Sequence, residues 1–172
     1  MKLLFMKNSL GVLFLCMVLG GCLNYASNKK DIAPIMVGET PPVYDSVLAK
    51  SYEADEYGMK KYVIAFLKTG ANKDTNKLYR AEIFRLHMEN ITRMAENGDL
   101  VLAGPFLDNE ELRGLYVFNV ETVLEAEALT NSDPAVQSGF LKMELVPWYG
   151  SAGLMGLNDL HKRVSKPENS LD

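Results

Sequence analysis

The nine residues Lys61 to Thr69, KYVIAFLKT, decide the fold. Tyr62, Ile64 and Phe66 alternate with Val63, Ala65 and Leu67, so a strand built from them is apolar on both faces. Such a strand belongs in a sheet interior and needs cover on both sides. Downstream, Gly70 to Asn76 is polar and turn-rich and offers Asp74, Thr75 or Asn76 as a helix N-cap. Leu78 to Asn97 then repeats Ile83, Phe84, His87, Met88, Ile91, Met94 and Ala95 at three- and four-residue intervals, the spacing of one helix face. Asn97-Gly98 closes that helix, because glycine accepts the left-handed backbone common just past a helix end.

The pattern continues in alternation. Asp99 to Ala103 reads as a second strand ended by Gly104-Pro105, and a polar connection, Leu107 to Leu112, leads to a third strand, Gly114 to Val120. Thr122 to Leu129 (TVLEAEAL) is a short helix stopped by Asn131-Ser132-Asp133-Pro134. Pro134 to Gly139 forms a turn of helix, and Leu141 to Trp148 a fourth strand. The order is βαββαβ, an α+β, ferredoxin-like layout with an antiparallel sheet. In it both helices cover the same face. The third strand is also two-faced, with Leu115 and Val117 opposite Tyr116, Phe118 and Val120. The remaining apolar face needs a partner, and a second copy packed sheet to sheet is the expected one.

Upstream of residue 58 the character changes. Lys2 and Lys7 precede an uncharged apolar run, Leu10 to Leu19, of ten residues, the length of a signal-peptide core and well short of a membrane span. Gly20 and Gly21 lead into Cys22, and Leu19-Gly20-Gly21-Cys22 resembles the lipobox of bacterial lipoproteins. That resemblance implies a signal peptide over 1–21, a diacylglyceryl thioether on Cys22 and acylation (palmitate) of the new amino terminus. The alternative is an ordinary signal peptide or tail anchor with a cysteine that happens to follow. Cys16 lies inside the apolar run, so the mature chain keeps Cys22 alone and has no internal disulfide. Residues 22–57, with Pro34, Pro41 and Pro42, read as a tether, in which Val43, Val47, Leu48 and Tyr52 are able to make a short helix. The folded domain is expected over 58–150 and a polar tail over 151–172. The expected location is the cell envelope, on the outer membrane in a Gram-negative cell.

The chain carries 18 basic and 22 acidic residues, a net charge of −4, and removing Lys2 and Lys7 leaves 16 against 22. Without a basic run this argues against nucleic acid or anionic lipid as a partner. Of the two histidines, His161 sits in the polar stretch HKRVSKPENS and reads as a surface residue. His87 lies midway between Ile83 and Ile91 on the apolar seam. It is either a core histidine satisfied by backbone or water, or a proton carrier at neutral pH. Asp133-Pro134 is a natural helix stop; in a functional reading Asp133 orients the His87 ring. Gly104-Pro105 is a strand-ending turn whose backbone can line a pocket. There is no GxSxG elbow, P-loop, dinucleotide fingerprint or histidine–carboxylate cluster, so neither a cofactor nor a metal is expected.

Taken in order, these residues resemble the YCII-related family. The likeness rests on FRLHMENI with Arg85 and His87, then Asn97-Gly98-Asp99-Leu100, Ala103-Gly104-Pro105, Gly114, EAEAL, Asp133-Pro134 with Gly139, and Val146-Pro147-Trp148. It spans about residues 59 to 149. It implies a ferredoxin-like domain that pairs into a dimeric α/β barrel, and a pocket with a histidine–aspartate pair carried here by His87 and Asp133. A few relatives are dehydrochlorinases or act near aromatic-compound breakdown, while most have no assigned reaction. The signal, the tether and the tail after Tyr149 depart from the family pattern and put a cytoplasmic metabolic role in doubt.

Two functions follow. One is an exported, membrane-anchored dimer of unassigned activity that binds a small molecule in a pocket with His87 and Asp133, lined by Gly104, Pro105 and Arg85. The other is a cofactor-free acid/base enzyme, a lyase, isomerase or dehydrochlorinase-like catalyst, with His87 moving the proton and Arg85 drawing an anionic group. Beside them stands a third reading, a degenerate domain retained only as a scaffold, in which Gly153 to Val164 docks another protein.

Overall fold

The computed structural model describes residues 43–107 and 111–166. The expected signal peptide, Cys22 and the tether up to Pro42 lie outside them. Among the described residues no helix is long and apolar enough to cross a membrane.

Asp45 caps a short helix, α1 (Ser46–Ser51), by accepting from the amides of Val47 and Leu48. The central strand β1 (Met59–Thr69) follows, two residues longer at its start than the apolar run suggests. Asn76 is the cap of the long helix α2 (Lys77–Glu96); its Oδ1 accepts from Leu78 and Tyr79 at 3.1 and 3.2 Å. Gly98, with φ of 81°, turns the chain out of α2 into β2 (Leu100–Pro105). β3 (Leu112–Phe118), α3 (Val123–Asn131), α4 (Pro134–Gln137) and β4 (Leu141–Ser151) complete the domain. Thr122 and Glu125 form a reciprocal capping box at the start of α3.

All strand pairs are antiparallel and the order is β2-β3-β1-β4. This is an α+β fold with a four-stranded antiparallel sheet and its helices, consistent with the ferredoxin-like expectation. Ile64 of β1 sits between Val117 of β3 and Val146 of β4. On the helix side, Val63, Ala65 and Leu67 pack with Met94, Leu100, Tyr116, Phe118 and Ala126 as the main core.

The opposite face corrects the tail reading. Past β4 the chain does not leave the domain. A 3-10 turn (Ala152–Gly156) and α5 (Leu157–Val164) return across the sheet, where Leu154 and Met155 pack on Tyr62, Val101 and Val117. The Ala152 amide donates to the Gly58 carbonyl and Asn158 Nδ2 to the Leu100 carbonyl, each at 2.9 Å, which fastens both ends of the return. The charged residues after Leu160 had masked this apolar AGLM segment. The rest of the outer face stays open: Leu102, Val146 and Trp148 are about 40 % exposed. The Trp148 indole lies against Gly150, where a Cβ would come within 2.2 Å of it, with its ring centre 5.9 Å from that of Tyr62. Gly70 is equally constrained, since a Cβ there would meet the Gly139 carbonyl oxygen at 2.0 Å.

If the return segment supports the sheet, a Leu154→Ala/Met155→Ala double variant should lose about 2 kcal/mol of stability, the low end for truncating two half-buried apolar side chains. Urea unfolding followed by circular dichroism measures this, and an unchanged midpoint would contradict the described packing.

Candidate functional site

α2 places His87, Asn90 and Met94 at three- and four-residue spacing on its buried side. Opposite them the α3–α4 junction supplies Ser132 and Asp133. Ser132 Oγ donates to Asn90 Oδ1 at 3.3 Å, and Arg93 Nη2 donates to Ser132 Oγ at 3.2 Å. These bonds fix the junction against α2 one turn beyond His87, and so fix Asp133 against the imidazole. Both carboxylate oxygens of Asp133 stand 2.9 Å from His87 Nδ1.

Asp133 is wholly buried and His87 is 7 % exposed. The carboxylate also accepts from the Ala135 amide at 2.8 Å, capping α4, so the helix stop read from Asp133-Pro134 is a helix start as well. An ionised carboxylate only accepts hydrogen bonds, so Nδ1 carries the proton donated to it and Nε2 is the basic nitrogen. Nε2 faces the Tyr116 hydroxyl at 3.4 Å, with the two rings nearly parallel and their centres 6.3 Å apart. Burial, and then the negative charge of Asp133, hold the Tyr116 phenol far above its usual range. It is therefore a neutral O–H that can donate to Nε2.

The imidazole borders a cavity of about 970 Å³ between α2 and the sheet. Gly104, Pro105, Phe84 and Tyr116 line it as well. Arg85 does not. It points away, two residues round the helix from His87, and pairs with Glu82 at 2.7 Å and with Glu89. The expected contact of Arg85 with a ligand in this cavity is thus corrected. Among the described residues, no group of three or more His, Cys, Asp or Glu side chains is placed to hold a metal ion. Sequence reasoning missed Tyr116, which read simply as one face of β3. It also missed Arg80, although Arg80, Phe84 and His87 share the four- and three-residue steps of a single helix face.

Comparison with known proteins bears on this arrangement. A family model described as the YCII-related domain matches residues 63–149, about half of the chain, and covers α2, the α3–α4 junction and the whole cleft. The chain belongs to the YCII-related family. Among solved structures, the YCII-related chain is similar to the 5-chloro-2-hydroxyhydroquinone dehydrochlorinase of Burkholderia phenoliruptrix AC1100, in complex with 2,5-dihydroxybenzoquinone. That likeness has 12 % identity and a TM-score of 0.39, and covers 50 % of this chain and 92 % of that one. No curated protein matches significantly.

The buried phenol makes a pH prediction. The folded-state value of Tyr116 is raised above its ordinary 10.0, so the stability it contributes is complete below pH 10 and is lost as pH rises beyond it. Burial raises Tyr62 also, so Tyr116→Phe should flatten the alkaline loss without removing it. Chemical denaturation at pH 8 and above pH 10 tests this; parallel losses in both proteins would refute it.

Proposed function

We propose that the domain is a small-molecule acid/base site in which His87 carries the proton and Asp133 holds the ring. One observation carries the reading: a buried His–Asp pair whose imidazole borders a cavity large enough for a ring-sized ligand. A histidine kept for packing alone needs neither a buried carboxylate on Nδ1 nor space beside it. The Asp133 charge favours the imidazolium that forms once Nε2 has taken a proton. The Tyr116 hydroxyl, donating to the same nitrogen, is positioned to pass that hydrogen bond to a ligand oxygen. The cavity wall supports an apolar ligand body, and proton transfer at a carbon next to a carbonyl or enol is the reaction class that suits a lone imidazole base.

The test is deuterium exchange. A panel of cyclic carbon acids in D₂O, followed by proton NMR, should show protein-dependent loss of C–H signal. His87→Gln should reduce that rate by about 100- to 10,000-fold, and Asp133→Asn should reduce it by releasing the ring. Exchange that persists unchanged in His87→Gln sinks the acid/base reading and leaves a binding module.

In this reading the chain is exported, held at a membrane in the cell envelope by lipid on Cys22, and paired with a second copy. The Leu19-Gly20-Gly21-Cys22 run supports the anchor. The uncovered apolar residues Leu102, Val146 and Trp148 support the pairing. Fractionation of a bacterial host should find the full chain with membranes. Cys22→Ser should be released and should show the mass of two chains by light scattering. Retention of the variant with membranes argues against the anchor, and a one-chain mass against the pair.

A further inference from the structure

The rim of the cleft holds three basic side chains from three separate segments: Lys73 in the loop after β1, Arg80 in α2 and Arg113 in β3. Among the described residues, no aspartate or glutamate shares the lining with them. Within a chain of net charge −4 this is a local inversion of sign. Elsewhere Lys60, Lys61, Lys68, Arg85 and Lys162 each pair with a carboxylate. Among the described residues, Lys73, Arg80 and Arg113 enter no ion pair.

Two of the three are held in place without being neutralised. Arg80 Nη1 donates to the Asp74 carbonyl at 3.1 Å, and its guanidinium lies 4.9 Å from the centre of the Phe140 ring. The Asp74 carboxylate itself is engaged by the Asn76 amide at 2.8 Å. Lys73 Nζ donates to the Gly70 carbonyl at 3.2 Å. A guanidinium fixed by a carbonyl and an aromatic face keeps its full charge and its remaining N–H donors, the arrangement that receives a planar oxyanion. Deeper in, Leu67, Ile91 and Leu141 make the wall apolar, with the more exposed Phe84 and Met88 nearer the mouth, and His87 and Tyr116 stand on its buried side.

We infer that the ligand of this cleft is a cyclic carboxylate, its anionic head at Arg80, Arg113 and Lys73 and its ring turned inward to His87. This rests on the cleft being the ligand site and names the class of molecule that enters it. The role once expected of Arg85 falls instead to Arg80, one and a half turns earlier on the helix. The rim also confers direction: an anion is drawn to the positive mouth from within about a Debye length, roughly 8 Å at physiological salt.

The experiment compares salicylate with its uncharged near-isostere salicylamide, binding to the folded protein by heteronuclear NMR titration. Salicylate should bind at least about tenfold more tightly, the equivalent of about 1.4 kcal/mol, with that preference shrinking at high salt. Arg80→Gln/Arg113→Gln should abolish the preference, and Arg80→Lys should keep part of it, which separates charge from a folding defect. Equal affinities, a preference that survives the double Gln variant, or no binding of salicylate overturns the proposal. Deuterium exchange that persists while the salicylate preference is absent, or the reverse, separates a failed anion reading from a failed acid/base reading.

Discussion

The central strand must be covered twice, and the rest of the domain is an answer to that demand. β1 carries apolar side chains on both faces and hydrogen bonds to a neighbour on each edge. Burying such a side chain contributes on the order of 1.5–3 kcal/mol, so leaving either face wet is expensive. Helices α2 and α3 satisfy one face. The other is divided: Leu154 and Met155 close the part near Tyr62 and Val117, while the part near Val146 and Trp148 is left open. A chain that covers part of its own outer face leaves a smaller patch for a partner than the bare βαββαβ unit does.

The site sits on the better-covered side, and its parts have different mechanical origins. His87 is fixed by the packing of α2, whereas Asp133 is fixed by the local geometry of a helix start, where its carboxylate caps α4 and faces the imidazole at once. One side chain therefore ties a local turn to a long-range pairing across 46 residues. Removing that carboxylate disturbs both, which is why the conservative Asn, able to cap as well, is the informative replacement.

How much of this was legible in the sequence follows from where the information is stored. The strands and α2 were readable because their spacing is periodic: KYVIAFLKT can hardly be anything but an interior strand, and Ile83, His87 and Ile91 lie on one helix face. The meeting of His87 with Asp133 is not periodic. No spacing implies it, and it was anticipated through the family resemblance alone. Tyr116 was overlooked because a strand's alternation says which face a residue occupies and not what stands across from it. Arg85 enters through the family resemblance of FRLHMENI, and two residues round a helix from His87 is a turn of about 200°, which carries it off the cleft. The return of Leu154 and Met155 was hidden by the charged residues that follow them, whose average polarity outweighed a short apolar stretch.

One wall of the cleft is a single element. Arg80, Phe84, His87 and Met88 all belong to α2, so whatever occupies the cavity touches two successive turns of the same helix. Occupancy then becomes a term in the local opening equilibrium of that helix: every transient unwinding of α2 must first release the ligand. The backbone amides along this stretch should respond as a block, exchanging with solvent more slowly by the factor 1 + L/Kd, with L the free ligand concentration. Affinity and helix permanence are in that sense a single thermodynamic quantity here, read once at the cleft and once along the amides of α2.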